Sequence, residues 1–244
     1  MNALLAFDTA TEQMSIAVAV ADRVWTHEAA GGARASAGLI PAILALLAQA
    51  GVGLQALDVI AFGRGPGAFT GLRTACSVAQ GLAFGANKPV LPIDTLLTIA
   101  EDARAGRAAW RGWVAMDARM DEIYAGHYQF VAGLWRVLAA PRLTTAQALN
   151  AVWRAEPPEV VAGNALSVFG DRLQPAGAAC IAGASTCAAA MLPLARQLWL
   201  QGGAVGAALA LPLYLRDKVA LTTIERDAAR EAKLAKTAAP GVRR

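Results

Sequence analysis

The sequence predicts an α/β protein built from two related halves, and three observations carry that prediction. Residues 1–104 read as strand, strand, strand, helix, strand, helix, strand, helix. The opening pattern returns 109 residues later: Leu5-Ala6-Phe7-Asp8 becomes Val114-Ala115-Met116-Asp117, each an apolar strand ended by aspartate. A polar turn and a second strand follow in both places, and the element order then repeats in shortened form, as an internal duplication would give.

Residues 4–7 are an apolar run too short for a helix. Residues 15–20 and 24–27 read as strands joined at hairpin length by Ala21-Asp22-Arg23. A helix begins at Ser36 and runs apolar-periodic from 39 to 50; Pro41 is tolerable in its first turn and Gly51 stops it. Residues 59–62 read as a buried strand that empties into the glycine-rich segment 63–67. A second helix spans 70–84, closed by Gly85-Ala86-Asn87, then a strand at 90–93 and a third helix at 95–104. Residues 104–112 read as a linker. The second half is expected to hold strands at 114–117, 123–130 and 134–138, a helix at 145–154, a short strand at 160–161 and a long helix at 186–201. This gives a first half at 1–104, a degenerate second half at 105–215 and a basic tail at 216–244.

The composition, 56% hydrophobic and 16% charged over 244 residues, excludes disordered, collagen-like and coiled-coil chains. Alanine is about a quarter of the chain, so the mean hydropathy of +0.42 overstates the burial it drives. The longest uncharged stretches, 35–57 and 173–195, are interrupted by proline and by glycine or hydroxyl residues, so no membrane span is expected. No cationic segment precedes the first apolar run, which argues against a signal peptide. Three cysteines without CxxC spacing fit a reducing cytoplasm. The net charge of +4 resides entirely from Arg216 onward, where eight basic residues face four acidic ones. The balanced body therefore lacks the clustered cations of a nucleic-acid binder. The tail reads as a solvated terminus or as a weak contact for polyanions.

The segment Gly63-Arg64-Gly65-Pro66-Gly67-Ala68-Phe69-Thr70-Gly71-Leu72-Arg73 lies between strand and helix, where an anion can be held. It matches neither a Walker A loop nor GxGxxG. Two readings stay open. One is a tight structural turn with Thr70 as helix cap. The other is a phosphate contact through Gly65, Gly67 and Thr70, with Asp8, Asp117 and Arg119 nearby. Helix 70–84 is small on nearly every side, which leaves a flat face for a partner helix. Asp8 and Asp117 would face a metal-bound phosphate in a duplicated ATPase. Thr9 and Ala118 follow them, however, where kinase loops carry glycine. His27 and His127 are 100 residues apart and offer no metal pair, and no G-x-S-x-G elbow occurs.

Phe7-Asp8-Thr9-Ala10-Thr11, the segment 63–73 with Ala79-Gln80-Gly81-Leu82-Ala83, the run 116–124, and Pro212-Leu213-Tyr214-Leu215-Arg216 occur in order. Together they resemble the bacterial tRNA threonylcarbamoyladenosine biosynthesis family TsaB, also called YeaZ, over residues 3–217. The resemblance implies a duplicated actin/Hsp70/sugar-kinase-like (ASKHA) fold. It also implies a cytoplasmic, non-catalytic accessory subunit that activates the transferase TsaD and touches tRNA only indirectly. A homodimer when alone, a TsaE-type ATPase in the larger complex, no metal and no cofactor beyond an adenine nucleotide at the partner interface are implied as well. The partner surface would lie on helices 36–50 and 70–84, with Ser36, Leu39, Ile43, Thr70, Leu72, Arg73, Ala75, Cys76, Ala79 and Ala83 as its candidates. A bulky charge at Ala75 or Ala79 is then expected to abolish pairing and spare the fold. Many relatives carry His-Ser before the first helix, where this chain has Ala35-Ser36. From the residues alone, a small-molecule kinase or ATPase using Asp8, or a nucleotide-binding regulator holding its ligand on segment 63–70, are the alternatives.

Overall fold

The computed structural model describes residues 1–32 and 35–216; the tail beyond 216 lies outside the described residues. Strands β1 (Ala3–Asp8), β2 (Gln13–Val20), β3 (Arg23–Ala30), β4 (Val59–Gly65) and β5 (Val90–Asp94) form one sheet in the order β3-β2-β1-β4-β5. Strands β6 (Trp110–Asp117), β7 (Ile123–Val131), β8 (Leu134–Thr144), β9 (Val160–Ala162) and β10 (Ala179–Ile181) form a second in the order β8-β7-β6-β9-β10. The two orders are the same topology. In each, the first strand pairs antiparallel with the second and parallel with the fourth, and the fourth pairs parallel with the fifth. The duplication read from the 109-residue offset is therefore structural, and Asp8 and Asp117 close equivalent strands.

Helices α1 (Ala35–Gln49) and α2 (Phe69–Ala86) lie together on one face of the first sheet. Leu39, Ile43, Leu46, Ala75, Ala79 and Ala83 pack there on Phe7, Ile16, Val18, Ile60 and Phe62. Gly51 ends α1 as expected, at positive φ, with Val52 N donating to Leu47 O (3.1 Å). Helix α2 runs through Gly85 and Ala86, because Asn87 supplies the left-handed cap. Helix α3 (Thr95–Arg104) has the bounds the sequence predicts. Helix α4 (Ala146–Ala155) is capped by Thr145, whose side chain accepts from Ala148 N (3.2 Å). Its Leu149 and Trp153 bury against Trp113, Ile123 and Val161 of the second sheet.

The halves interlock through their third helices. Helix α6 (Ala188–Leu200), from the second half, covers the other face of the first sheet with Met191, Leu192, Leu194 and Ala195 on Leu4, Ala6, Ala19 and Leu91. Helix α3, from the first half, packs Leu96, Ile99 and Ala103 on Val114, Met116 and Tyr128 of the second sheet.

Four expectations are corrected. Segment 104–112 is shorter as a linker, since β6 begins at Trp110. Strand β8 extends to Thr144 rather than stopping at 138, because β7 carries it through two register shifts. Helix α5 (Ala165–Phe169) and β10 were not expected: five and three residues are too short for a periodic signal. Thr70 is not the cap of α2, whose N-cap is Ala68 without a side-chain bond. Among the described residues no helix is long and apolar enough to cross a membrane.

Candidate functional site

The glycine-rich segment is shaped by the turn beneath it. A Cβ on Gly71 would lie 1.9 Å from Thr9 O, and one on Gly67 would lie 2.6 Å from Ala10 O. Only glycine lets the start of α2 press on the β1–β2 turn in this way. Ala68 N donates to Ala10 O (2.8 Å), and the Thr9 hydroxyl donates to Gly71 O (2.7 Å). Gly65 takes φ +113°, and Gly163 takes φ +109° just after the equivalent strand of the second half. Gly63, Gly65, Gly67 and Gly71 are each held against backbone or side chains of Asp8, of the β1–β2 turn, of Leu72 or of Leu213.

Asp8 is fully buried, its carboxylate lying over Gly63, where a Cβ would come within 1.8 Å of Oδ2. Ala10 N donates to Oδ1 (2.6 Å) and the Thr95 hydroxyl to Oδ2 (3.1 Å); Thr95 in turn accepts from Gly65 N (3.2 Å). Burial pushes the carboxyl up to about 6, against the two bonds that lower it. Asp8 thus ties β1, β4 and α3 together from inside. Asp117 sits nearer the surface, accepting from Arg119 N (2.9 Å) while its own N–H donates to Asn164 Oδ1 (2.9 Å).

Between the halves runs a cleft of three adjoining hollows of about 250, 90 and 280 Å³. Gly67, Ala68 and the 10–12 turn line one side; Met116, Ala118, Arg119 and Tyr124 line the other. Arg119 crosses it to Glu12 (2.8 Å). The C-terminal described segment straps its mouth, with Tyr214 packed against Phe69 and Arg216 bonded to Glu122. The cleft therefore brings Gly67, Arg119 and Asp117 to one place, whereas Asp8 lines none of its hollows. Among the described residues no group of His, Cys, Asp and Glu could hold a metal ion.

The predicted partner residues divide by direction. Leu39, Ile43, Ala75, Cys76, Ala79 and Ala83 are buried and face the first core, so the smallness of Ala75 and Ala79 serves helix-on-sheet packing, while Leu72 is buried toward Gly65 and lines the cleft. A charge there would break the fold, which corrects the expectation for those two positions. Ser36, Thr70 and Arg73 face outward and border an open groove of about 460 Å³ with Phe69, Thr74, Ser77 and Val78. The outward side of the α1–α2 pair also shows Ile40, Leu44, Gly81 and Phe84, the last 85% exposed. The sequence reading missed these. An exposed Phe in an amphipathic helix looks like a core residue until its phase against the sheet is known.

Two sheets of one topology, with interlocking third helices and a cleft between them, define a duplicated actin-like α/β protein. Residues 26–160 match the family described as TsaD: tRNA N6-adenosine threonylcarbamoyltransferase. The chain is 34% identical over 227 residues to the tRNA threonylcarbamoyladenosine biosynthesis protein TsaB of Escherichia coli K12, covering 89% of this chain and 96% of that one. It is 43% identical over 122 residues to the TsaB of Haemophilus influenzae, about half of each chain. The solved YeaZ of Pseudomonas aeruginosa superposes with a TM-score of 0.79 at 38% identity, covering 88% of this chain and all of that one. A second solved structure, titled an uncharacterized protein with similarity to peptidase YeaZ from P. aeruginosa, gives a TM-score of 0.81. The chain belongs to the TsaB (YeaZ) family.

Proposed function

We propose that this protein is an accessory subunit in the formation of threonylcarbamoyladenosine in tRNA. In this reading it has no transfer activity of its own and docks on a TsaD-type transferase through the outward side of α1 and α2. The observation that carries the reading is that side itself: two adjacent helices present Ile40, Leu44, Ser77, Gly81 and Phe84 to solvent, apolar and small together. Such a patch favours a protein partner. Asp8 supports the accessory role, since its carboxylate is spent on Ala10 and Thr95 and lines no part of the cleft. Docking would act by binding the transfer-competent state of the partner more tightly than other states. Homodimerisation on the same face, a TsaE-type ATPase in the larger assembly, and an adenine nucleotide at the interface belong to this proposal.

Depletion of the protein should lower threonylcarbamoyladenosine in bulk tRNA, read by nucleoside mass spectrometry, and the wild-type gene should restore it. Ser77→Arg, which places a charge at the middle of the outward side, should fail to restore it. Unchanged modification after depletion would sink the proposal. Magnesium-dependent ATP turnover by the isolated chain, lost in Asp8→Asn, would favour the kinase or ATPase reading instead.

A further inference from the structure

We propose that residues 213–216 are a latch between the two halves, and that the state of this latch is transmitted to the outward side of α2. The second clause rests on the reading of that side as the docking face.

The segment is anchored first on the first half. Leu213 N donates to Arg64 O at the end of β4 (2.7 Å). Leu213 O lies over Gly65, where a Cβ would come within 2.8 Å of it. The Tyr214 ring packs tilted against Phe69 (centroids 5.4 Å apart), and its hydroxyl accepts from Arg73 Nε (3.2 Å). The Arg73 guanidinium also covers the Phe69 ring, 3.8 Å from its centroid. Arg73 is one turn from Ser77 on the outward side of α2.

Two residues on, the chain grips the second half. Arg216 Nη2 donates to Glu122 Oε2 (2.5 Å) and to the carbonyls of Ala118 (3.0 Å) and Arg119 (3.3 Å). Between the two anchors Leu215 packs into the core around α3 and the second sheet. Three successive residues thus touch α2, the second core and the 118–122 turn. At about 3.5 Å of chain per residue, Arg216 cannot withdraw far without dragging Leu215 from its core and Tyr214 from Phe69.

The gripped turn has a reason to be bistable. Arg119, Met120 and Asp121 all hold positive φ (61°, 56° and 64°), a conformation L side chains disfavour singly and more so in succession. Its internal bonds are Ala118 N to Glu122 O (2.9 Å) and Glu122 N to Arg119 O (3.1 Å). The outer ion pairs, Arg119 with Glu12 and Arg172 with Asp121, are exposed and weakened by water. The Arg216 guanidinium, only 16% exposed, is the support that reaches the turn's carbonyls from a shielded position. Seated, it holds the left-handed turn; withdrawn, it leaves the turn to relax. A partner that orders Arg73 would steady Tyr214 and so seat Arg216. By linkage, unlatching must weaken docking by the same factor.

The test combines amide hydrogen exchange on the full chain with calorimetric titration by the TsaD-type subunit. In Arg216→Gln, exchange at Ala118 and Glu122 should rise about tenfold or more while α4 is unchanged. Affinity for the subunit should fall about fivefold. Binding of the subunit to the wild-type chain should slow exchange at the same two amides. Unchanged exchange at Ala118 and Glu122 in the variant overturns the latch. Raised exchange with unchanged affinity overturns its transmission to α2. Should Arg216→Gln fail to fold, Glu122→Gln loosens the same grip and is read the same way. Ser77→Arg separates the two ideas: if it binds like the wild type, the docking face has been misread and the transmission falls, while the exchange readings still decide the latch.

Discussion

Asp8 is fully buried at the end of β1, and its protonation should be visible in stability. The carboxyl titrates at about 6 in the fold against an ordinary value near 4 when the chain is open. A raised acid favours the folded state where it is protonated, so its contribution is full below about pH 4 and is lost as pH rises through 6. Two units correspond to about 3 kcal/mol. Asp8→Asn keeps an acceptor for Ala10 N and removes the buried charge. Urea titration should show a gain of about 2–3 kcal/mol at pH 7 that vanishes near pH 4. The sequence could place Asp8 at a strand end but not choose between a phosphate-facing and a buried carboxylate. That choice is made by Gly63 and Thr95, which fold in from 55 and 87 residues away. Ala75 and Ala79 taught the complementary lesson. Small residues suit a sheet and a partner helix equally well, and their spacing alone does not say which lies beneath.

At the scale of elements, α2 offers a paired test of glycine. Nothing lies within 4 Å of a Cβ built on Gly81, on the outward side. Gly81→Ala should therefore stabilise the helix by about 1 kcal/mol, raising the thermal midpoint by roughly 2–4 °C. Gly71→Ala, one helix turn in, would drive a methyl into Thr9 O and should cost about 3 kcal/mol. Both changes are read by thermal denaturation, and similar effects at the two sites would refute the packing described for the glycine-rich segment. The stop at Gly51 and the hairpin at Ala21-Asp22 were legible because their chemistry is local, although Arg23 proved to be in β3 and the cap expected at Thr70 is not the one used. The short pieces of the second half were not, since α5 and β10 owe their form to the sheet they complete. Helix phase was not legible either, so Phe84 and Ile40 went unremarked as outward residues.

At the scale of the molecule, the boundary near residue 104 divides the sequence more cleanly than it divides the cores. Residues 1–104 lack α6, and without it Leu4, Ala6, Ala19 and Leu91 lose their cover. A fragment ending at residue 104 should not show a cooperative unfolding transition, whereas the full chain should; circular dichroism on heating checks this. The duplication was readable because strand, aspartate and turn recur at a fixed offset. The exchange of third helices was not, because nothing in α3 or α6 names the sheet it will cover.

That exchange sets a timetable for a chain being made on a ribosome. Ala188 N, at the start of α6, donates to the Ser15 hydroxyl (2.8 Å), a contact spanning 173 residues. Once β5 has emerged, more than ninety residues must still be translated before α6 begins. At roughly 5–20 residues per second the back of the first sheet waits, bare and apolar, for about 5–20 s. A nascent chain of this protein should therefore benefit from holding chaperones over that interval, and the emergence of α6 is the event that covers the exposed face.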